Sequence, residues 1–164
     1  MEILVVIFII SIVMTGALSL IIQNSIAQKN NMNSLIVTQL AQEGIELVRK
    51  IRDDNWFANN NWNQDIATIT ATTTFTIHFN PLANEVVINK LISPFLEDDY
   101  RLYLDNGFYT HDSFNNESSN FFRLISTDTN GTSTKVNCNI KWKSRGVIRE
   151  YSLDTVLYNW REEY

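Results

Sequence analysis

Cysteine is nearly missing from this 164-residue chain: Cys138 is the single one, so no intrachain disulfide can staple the fold. A lone thiol says little about redox compartment. Cys138 falls on the apolar side of an alternating stretch and reads as a small core residue, since a reactive thiol would need an exposed, electropositive setting. Proline is scarce at 2 and glycine reaches only 5, which argues against a repeat or linker-rich design. The 2 histidines, His78 and His111, stand far apart, and no Cys or His partner lies at the offsets zinc needs. His78 sits on the polar side of a strand and reads as solvated. No Gly-rich phosphate loop or Ser-elbow pattern occurs, so the sequence implies no enzyme, no cofactor and no metal. Positive charge is short as well. Against 18 Asp and Glu stand 13 Lys and Arg, a formal net charge of −5, which excludes a global attraction to nucleic acid or anionic lipid. Apolar side chains are not lacking: at 45% hydrophobic and 19% charged, the chain is expected to fold. Asparagine is abundant, notably at Asn59-Asn60-Asn61, and reads as polar loop filler.

From Ile3 to Ile22 there is no charged residue at all. Twenty residues at helical rise cover about 30 Å, the thickness of a bilayer's hydrocarbon core. A retained transmembrane helix is therefore expected. Ser11, Thr15 and Ser19 can bond back to carbonyls one turn earlier, so they do not spoil the span. A secretory signal peptide would need a basic start, a shorter apolar core and a small-residue cleavage site. Here the start is acidic and the run is longer. Glu2, an ionisable group at the lip of this helix, is a functional hypothesis by default, against the plainer reading that it rests among headgroups. Lys29 follows the span and no Lys or Arg precedes it, so the positive-inside rule gives no support for an outside head.

Beyond a polar stretch from Gln23 to Asn33, a helical period begins. Ile36, Val37, Leu40, Ala41, Gly44, Ile45, Leu47, Val48 and Ile51 share one side of the wheel, and Gln39, Gln42, Glu43, Glu46, Lys50 and Asp53 the other. Glu46 and Lys50 are expected to pair at i,i+4. Asp53-Asp54-Asn55 should end the helix, because acidic residues oppose its C-terminal dipole. The stripe is too broad for a coiled-coil seam and predicts packing on a sheet of the same chain. Strands follow. Phe75, Ile77 and Phe79 alternate with polar residues up to Asn80-Pro81, and 85–92 is a weaker strand. Arg101–Leu104 and Phe108–Thr110 form a hairpin over Asn106-Gly107. Phe121–Ile125 is a short strand. Val136, Cys138, Ile140 and Trp142 alternate strictly, and Val147–Tyr158 returns after Ser144-Arg145-Gly146. These predict an α+β fold: a membrane half-helix over 1–22, an amphipathic half over 23–55, and a head over 56–164 with four to six antiparallel strands. Loops at 56–68 and 111–120 should be polar.

These residues resemble the type IV pilin and type II secretion pseudopilin superfamily, and its minor subunits most. Glu2-Ile3-Leu4-Val5-Val6-Ile7-Phe8-Ile9-Ile10-Ser11-Ile12, with Gly16, is similar to the prepilin N-terminal motif, in which a glutamate precedes an apolar helix. The stretch from Leu40 to Asp53, with Trp56, is similar to the second half of the long helix in bacterial minor pilins. Phe122–Ile125, Val136–Trp142 and the stretch from Leu153 to Trp160 resemble, less specifically, the strands of their heads.

The resemblance implies a leader cut by a prepilin peptidase, methylation of the new amine, and withdrawal of subunits from the inner membrane into a helical filament. In that picture Glu2 meets the terminal amine of an adjacent subunit and sets axial register, since a carboxylate in an apolar bundle must be paired. Ile3, Phe8, Ser11, Gly16 and Ile22 belong to the membrane span and filament core. Ile36, Leu40, Ile45, Val48 and Ile51 hold the extracytoplasmic head. The family motif also places three mature residues and a basic leader ahead of Met1. Either the true start lies upstream, the reading favoured by the motif, or the chain stays uncut as a membrane protein. Some pseudopilin heads bind calcium, but Glu97-Asp98-Asp99 lacks the ligand alternation of a calcium loop and reads as a solvated turn. Lys135, Lys141, Lys143, Arg145 and Arg149 form a local basic concentration. With Trp142 alternating inward, a solvated face or an acidic neighbour is favoured over nucleic acid. The expected partners are other pilin or pseudopilin subunits and the membrane. The alternatives are a tip adhesin or DNA-binding pilin-like protein, and a single-span membrane protein outside any filament.

Overall fold

The absence of proline before Pro81 lets one helix run without interruption, and the computed structural model shows it: α1 spans Glu2–Phe57, 56 residues. The structure describes residues 2–66, 72–90 and 97–159. The chain divides into two compact units, Met1–Ile36 and Val37–Tyr164. After the helix comes a seven-stranded antiparallel sheet: β1 (Thr73–Asn80), β2 (Glu85–Lys90), β3 (Arg101–Asp105), β4 (Phe108–Thr110), β5 (Glu117–Asn130), β6 (Ser133–Ser144) and β7 (Val147–Tyr158). The fold is α+β, with one more strand than the upper expected number.

The helix stops two residues later than its acidic residues suggested. Lys50 holds Asp54 at 2.9 Å and Arg52 holds Asp53 at 2.9 Å, so those carboxylates are neutralised rather than left facing the dipole. Glu46 pairs with Arg49 at 2.6 Å, and the expected Glu46–Lys50 pair is not made. The terminator is Asn59, left-handed at φ 55°. Its N–H donates to Trp56 O (3.2 Å), while Asn60 N–H donates to Asn55 O (2.9 Å), the paired bonds of a Schellman cap. Asn55 Nδ2 then donates to Gln64 O (2.9 Å) and ties down the following loop. The asparagine run is thus a helix stop as well as loop filler.

β5 organises the sheet. Along one edge it pairs with β6 from Phe121↔Trp142 to Asn130↔Ser133, and β6 pairs with β7 from Ser133↔Tyr158 to Ser144↔Val147. Its other edge is shared. β1 holds only Ile125–Thr127, and β3 holds Glu117–Phe122, with an irregularity between Arg101 and Tyr103. The sheet therefore forks beside residues 123 and 124, sending the hairpin β1–β2 one way and β3–β4 another. The expected short strand at 121–125 is in fact 14 residues long and absorbs 117–120, which the polar pattern had placed in a loop. β2 ends at Lys90, and residues 91 and 92 of that expected strand lie outside the described residues, as does Trp160. The turns follow their residues: Asn106 (φ 47°) with Gly107 (φ 92°), and Arg145 (φ 53°) with Gly146 (φ 81°), both supply the two positive φ angles of a tight primed hairpin.

The core lies between the sheet and the stretch of α1 from Val37 onward. Val37, Leu40, Ala41, Gly44, Ile45, Leu47 and Val48 are buried, facing a layer that includes Phe75, Ile77, Ile125, Val136, Cys138 and Ile140. Each large aliphatic there contributes roughly 1.5–3 kcal/mol of burial. Gly44 sets the closest approach. A Cβ at that position would stand 3.0 Å from Cys138 Sγ, 3.2 Å from Ile125 Cδ1 and 3.3 Å from Arg123 Cδ. Glycine is thus required for packing on the helix, not for backbone freedom.

Candidate functional site: an uncovered apolar helix segment

In the unit Met1–Ile36, the helix from Ile3 to Ile22 presents its apolar side chains outward on every side. Ile3, Phe8, Met14 and Ile22 are 76%, 65%, 62% and 59% exposed, and Ser11, Gly16 and Glu2 are exposed with them. Backbone groups bond within the helix, and the hydroxyls do likewise: Ser11 Oγ donates to Ile7 O (2.8 Å) and Thr15 Oγ1 to Ser11 O (2.7 Å). Left in water, the exposed aliphatic surface would cost tens of kcal/mol relative to burial. This is the one helix among the described residues long and apolar enough to cross a membrane. A lipid bilayer or a bundle of like helices would each cover it.

The five residues expected to hold the head divide by position on the stripe. Leu40, Ile45 and Val48 are buried, while Ile36 and Ile51 lie at its margins and are half-buried. Asp98, of the acidic run, bonds Arg101 at 2.6 Å; among the described residues no three His, Cys, Asp or Glu side chains group as a metal site would require. The basic concentration is dispersed. Lys135 pairs with Asp154 at 3.4 Å, Arg149 stands opposite Trp142 in register, and Lys141 and Lys143 border an open groove with Tyr100, Arg101 and Phe122.

One group of residues escaped the sequence reading. Arg123, at the fork, is 0% exposed. Its Nη1 donates to Leu40 O of α1 (3.0 Å) and lies 3.3 Å from Glu43 Oε2; its Nη2 donates to Ile77 O of β1 (2.7 Å). The register that pairs Phe75 with Ile125 would next oppose Ile77 to Arg123, so the guanidinium binds a carbonyl just where the β1–β5 ladder has ended. His78, expected in solvent, is 6% exposed, because the exit of β4 folds against it: the rings of His78 and His111 stand 6.0 Å apart, edge to face. Thirty-two intervening residues are closed by the fork, which no spacing rule reveals. His111 Nδ1 donates to Arg101 O (3.0 Å), leaving its Nε2 as an acceptor. Burial, then the Arg123 charge, lowers the pKa of both rings, that of His111 to about 3. Burial raises the Cys138 thiol to about 12, in keeping with an inert core residue.

No family model, curated protein or solved structure matches this chain. The architecture itself, a long helix apolar in its first part and followed by an antiparallel sheet, is pilin-like.

Proposed function

We propose that this chain is a minor pilin or pseudopilin: a single-pass inner-membrane subunit with an extracytoplasmic head, built into a type IV pilus or a type II secretion or competence filament through its N-terminal helix. The observation that carries the proposal is the uncovered apolar surface of Ile3–Ile22, which a bilayer would solvate before assembly and neighbouring helices would solvate afterwards. Glu2, at the start of that surface, would meet a terminal amine of the next subunit, and the role is structural rather than catalytic. Partners in this reading are other pilin-type subunits, the membrane and a prepilin peptidase.

The test is the mature N-terminus. The gene is expressed from its native upstream DNA with and without a prepilin peptidase, and the membrane product is read by mass spectrometry. A peptidase-dependent cut and a methylated amine support the proposal. An uncut product in both strains refutes filament assembly and leaves a single-span membrane protein. A second reading, a head that acts as tip adhesin or DNA receptor, rests on the groove bordered by Lys141, Lys143, Tyr100 and Phe122. Loss of surface binding in Lys141→Ala/Lys143→Ala with filaments intact would favour it.

A further inference from the structure

We propose that the buried polar cluster at the sheet fork is an acid-labile latch, in which proton uptake by His78 and His111 beside Arg123 releases the Val37–Phe57 stretch of α1 from the sheet. This goes beyond the filament reading and does not depend on it. Arg123 is a three-way tie, reaching Leu40 on α1 and Ile77 on β1 from its own place on β5. The elements packed around it supply few countercharges. From α1 comes Glu43, which is partly exposed; from β6, Cys138, an uncharged thiol; from β1, His78; and from the exit of β4, His111 and Asp112. Two imidazoles thus face a guanidinium that a single carboxylate touches.

Polar satisfaction at the cluster is incomplete. Arg123 Nε, His78 Nδ1 and His111 Nε2 are all buried without a hydrogen-bond partner among the described residues. Such groups mark a strained polar network, costly to hold closed. A proton added to either ring would place a second cation beside Arg123 with no bond to receive it. The closed form therefore refuses protons that the open form accepts, so opening becomes more favourable as pH falls below the ordinary histidine range near 6.5. With the closed His111 titrating at about 3, stability is full above pH 6.5 and is lost progressively down to pH 3. His111 alone makes opening about 25-fold more favourable at pH 5 than at pH 7. His78, also lowered, adds to this in the same direction.

Cys138 offers the readout, because it is the only thiol and lies under Gly44 where helix and sheet meet. The full chain in detergent is labelled with a dithiodipyridine, and rates are normalised to a free thiol at each pH. The expected result is a rise of about 25-fold or more from pH 7 to pH 5, with a urea dependence shallower than that of global unfolding. In His78→Gln/His111→Gln the rise should vanish. An equal rise in that variant, no rise in the native chain, or a urea dependence as steep as global unfolding would each overturn the latch. Should the double variant not fold, the histidine signals of the native chain followed by NMR decide: rings neutral in the closed form at pH 5 support it, and both titrating near pH 6.5 refute it.

Discussion

The stretches Ile3–Ile22 and Val37–Val48 share one helix and a similar wealth of aliphatic side chains, yet they are solved in opposite ways. The second buries its stripe against the sheet and turns Gln39, Gln42 and Glu46 to solvent. The first has no polar side to turn, and every large apolar residue in it is more than half exposed. The difference lies in pattern more than in content. A period of 3.6 residues selects a protein surface as partner, whereas apolarity all round selects a medium with no preferred direction. One helix can thus carry a fold and an address at once, provided that a polar stretch such as Gln23–Asn33 separates them.

The comparison breaks most severely at the buried tie. Arg123→Ala removes the guanidinium from Leu40, Ile77 and Glu43, and should cost the head about 3–5 kcal/mol, read by urea unfolding in detergent. Membrane association should survive it. The reciprocal experiment is Val13→Lys, which places a charge in the middle of the span. About 2.5–3.5 kcal/mol of insertion free energy should be lost, seen as protein leaving the membrane fraction, while the head's unfolding midpoint stays put. If either variant moved both readouts equally, the two stretches would not be independent. Gly44→Ala opposes two effects: overpacking of about 1–3 kcal/mol against Cys138, Ile125 and Arg123, and a helix-propensity gain of about 1 kcal/mol. Packing should win by about 1 kcal/mol. The smallest effect sharpens the boundary of the folded stretch. Asn59→Ala, which puts an ordinary side chain at positive φ, should lower head stability by about 1 kcal/mol, and Asn59→Gly should not.

Much of this architecture is legible because local rules govern it. The helix is written in an unbroken run without proline, β6 in strict alternation, and the tight turns in Asn106-Gly107 and Arg145-Gly146. The fork is different. Alternation does place Arg123 on the same side as Phe121 and Ile125, so a charge on the buried side of a strand was there to be noticed. Its partners were not, since Leu40 and Ile77 are 83 and 46 residues away. The burial of His78 likewise depends on where another hairpin leaves the sheet, and periodicity within β1 carries no information about that. Even the length of β5 was hidden, because Glu117–Asn120 is polar and lies in a strand only through its pairing with β3.

The span of 83 residues between Leu40 and Arg123 has a further consequence, in the order of synthesis. The apolar stripe of α1 leaves the ribosome well before β5, β6 and β7, which cover it. During that interval the stripe from Val37 to Val48 is without its sheet, so the newborn chain is most prone to aggregate before β5 has emerged. The hairpins β1–β2 and β3–β4 and the run β5–β6–β7, by contrast, pair through short turns and can form as they emerge. Early attachment of Ile3–Ile22 to a membrane would hold such half-made chains apart.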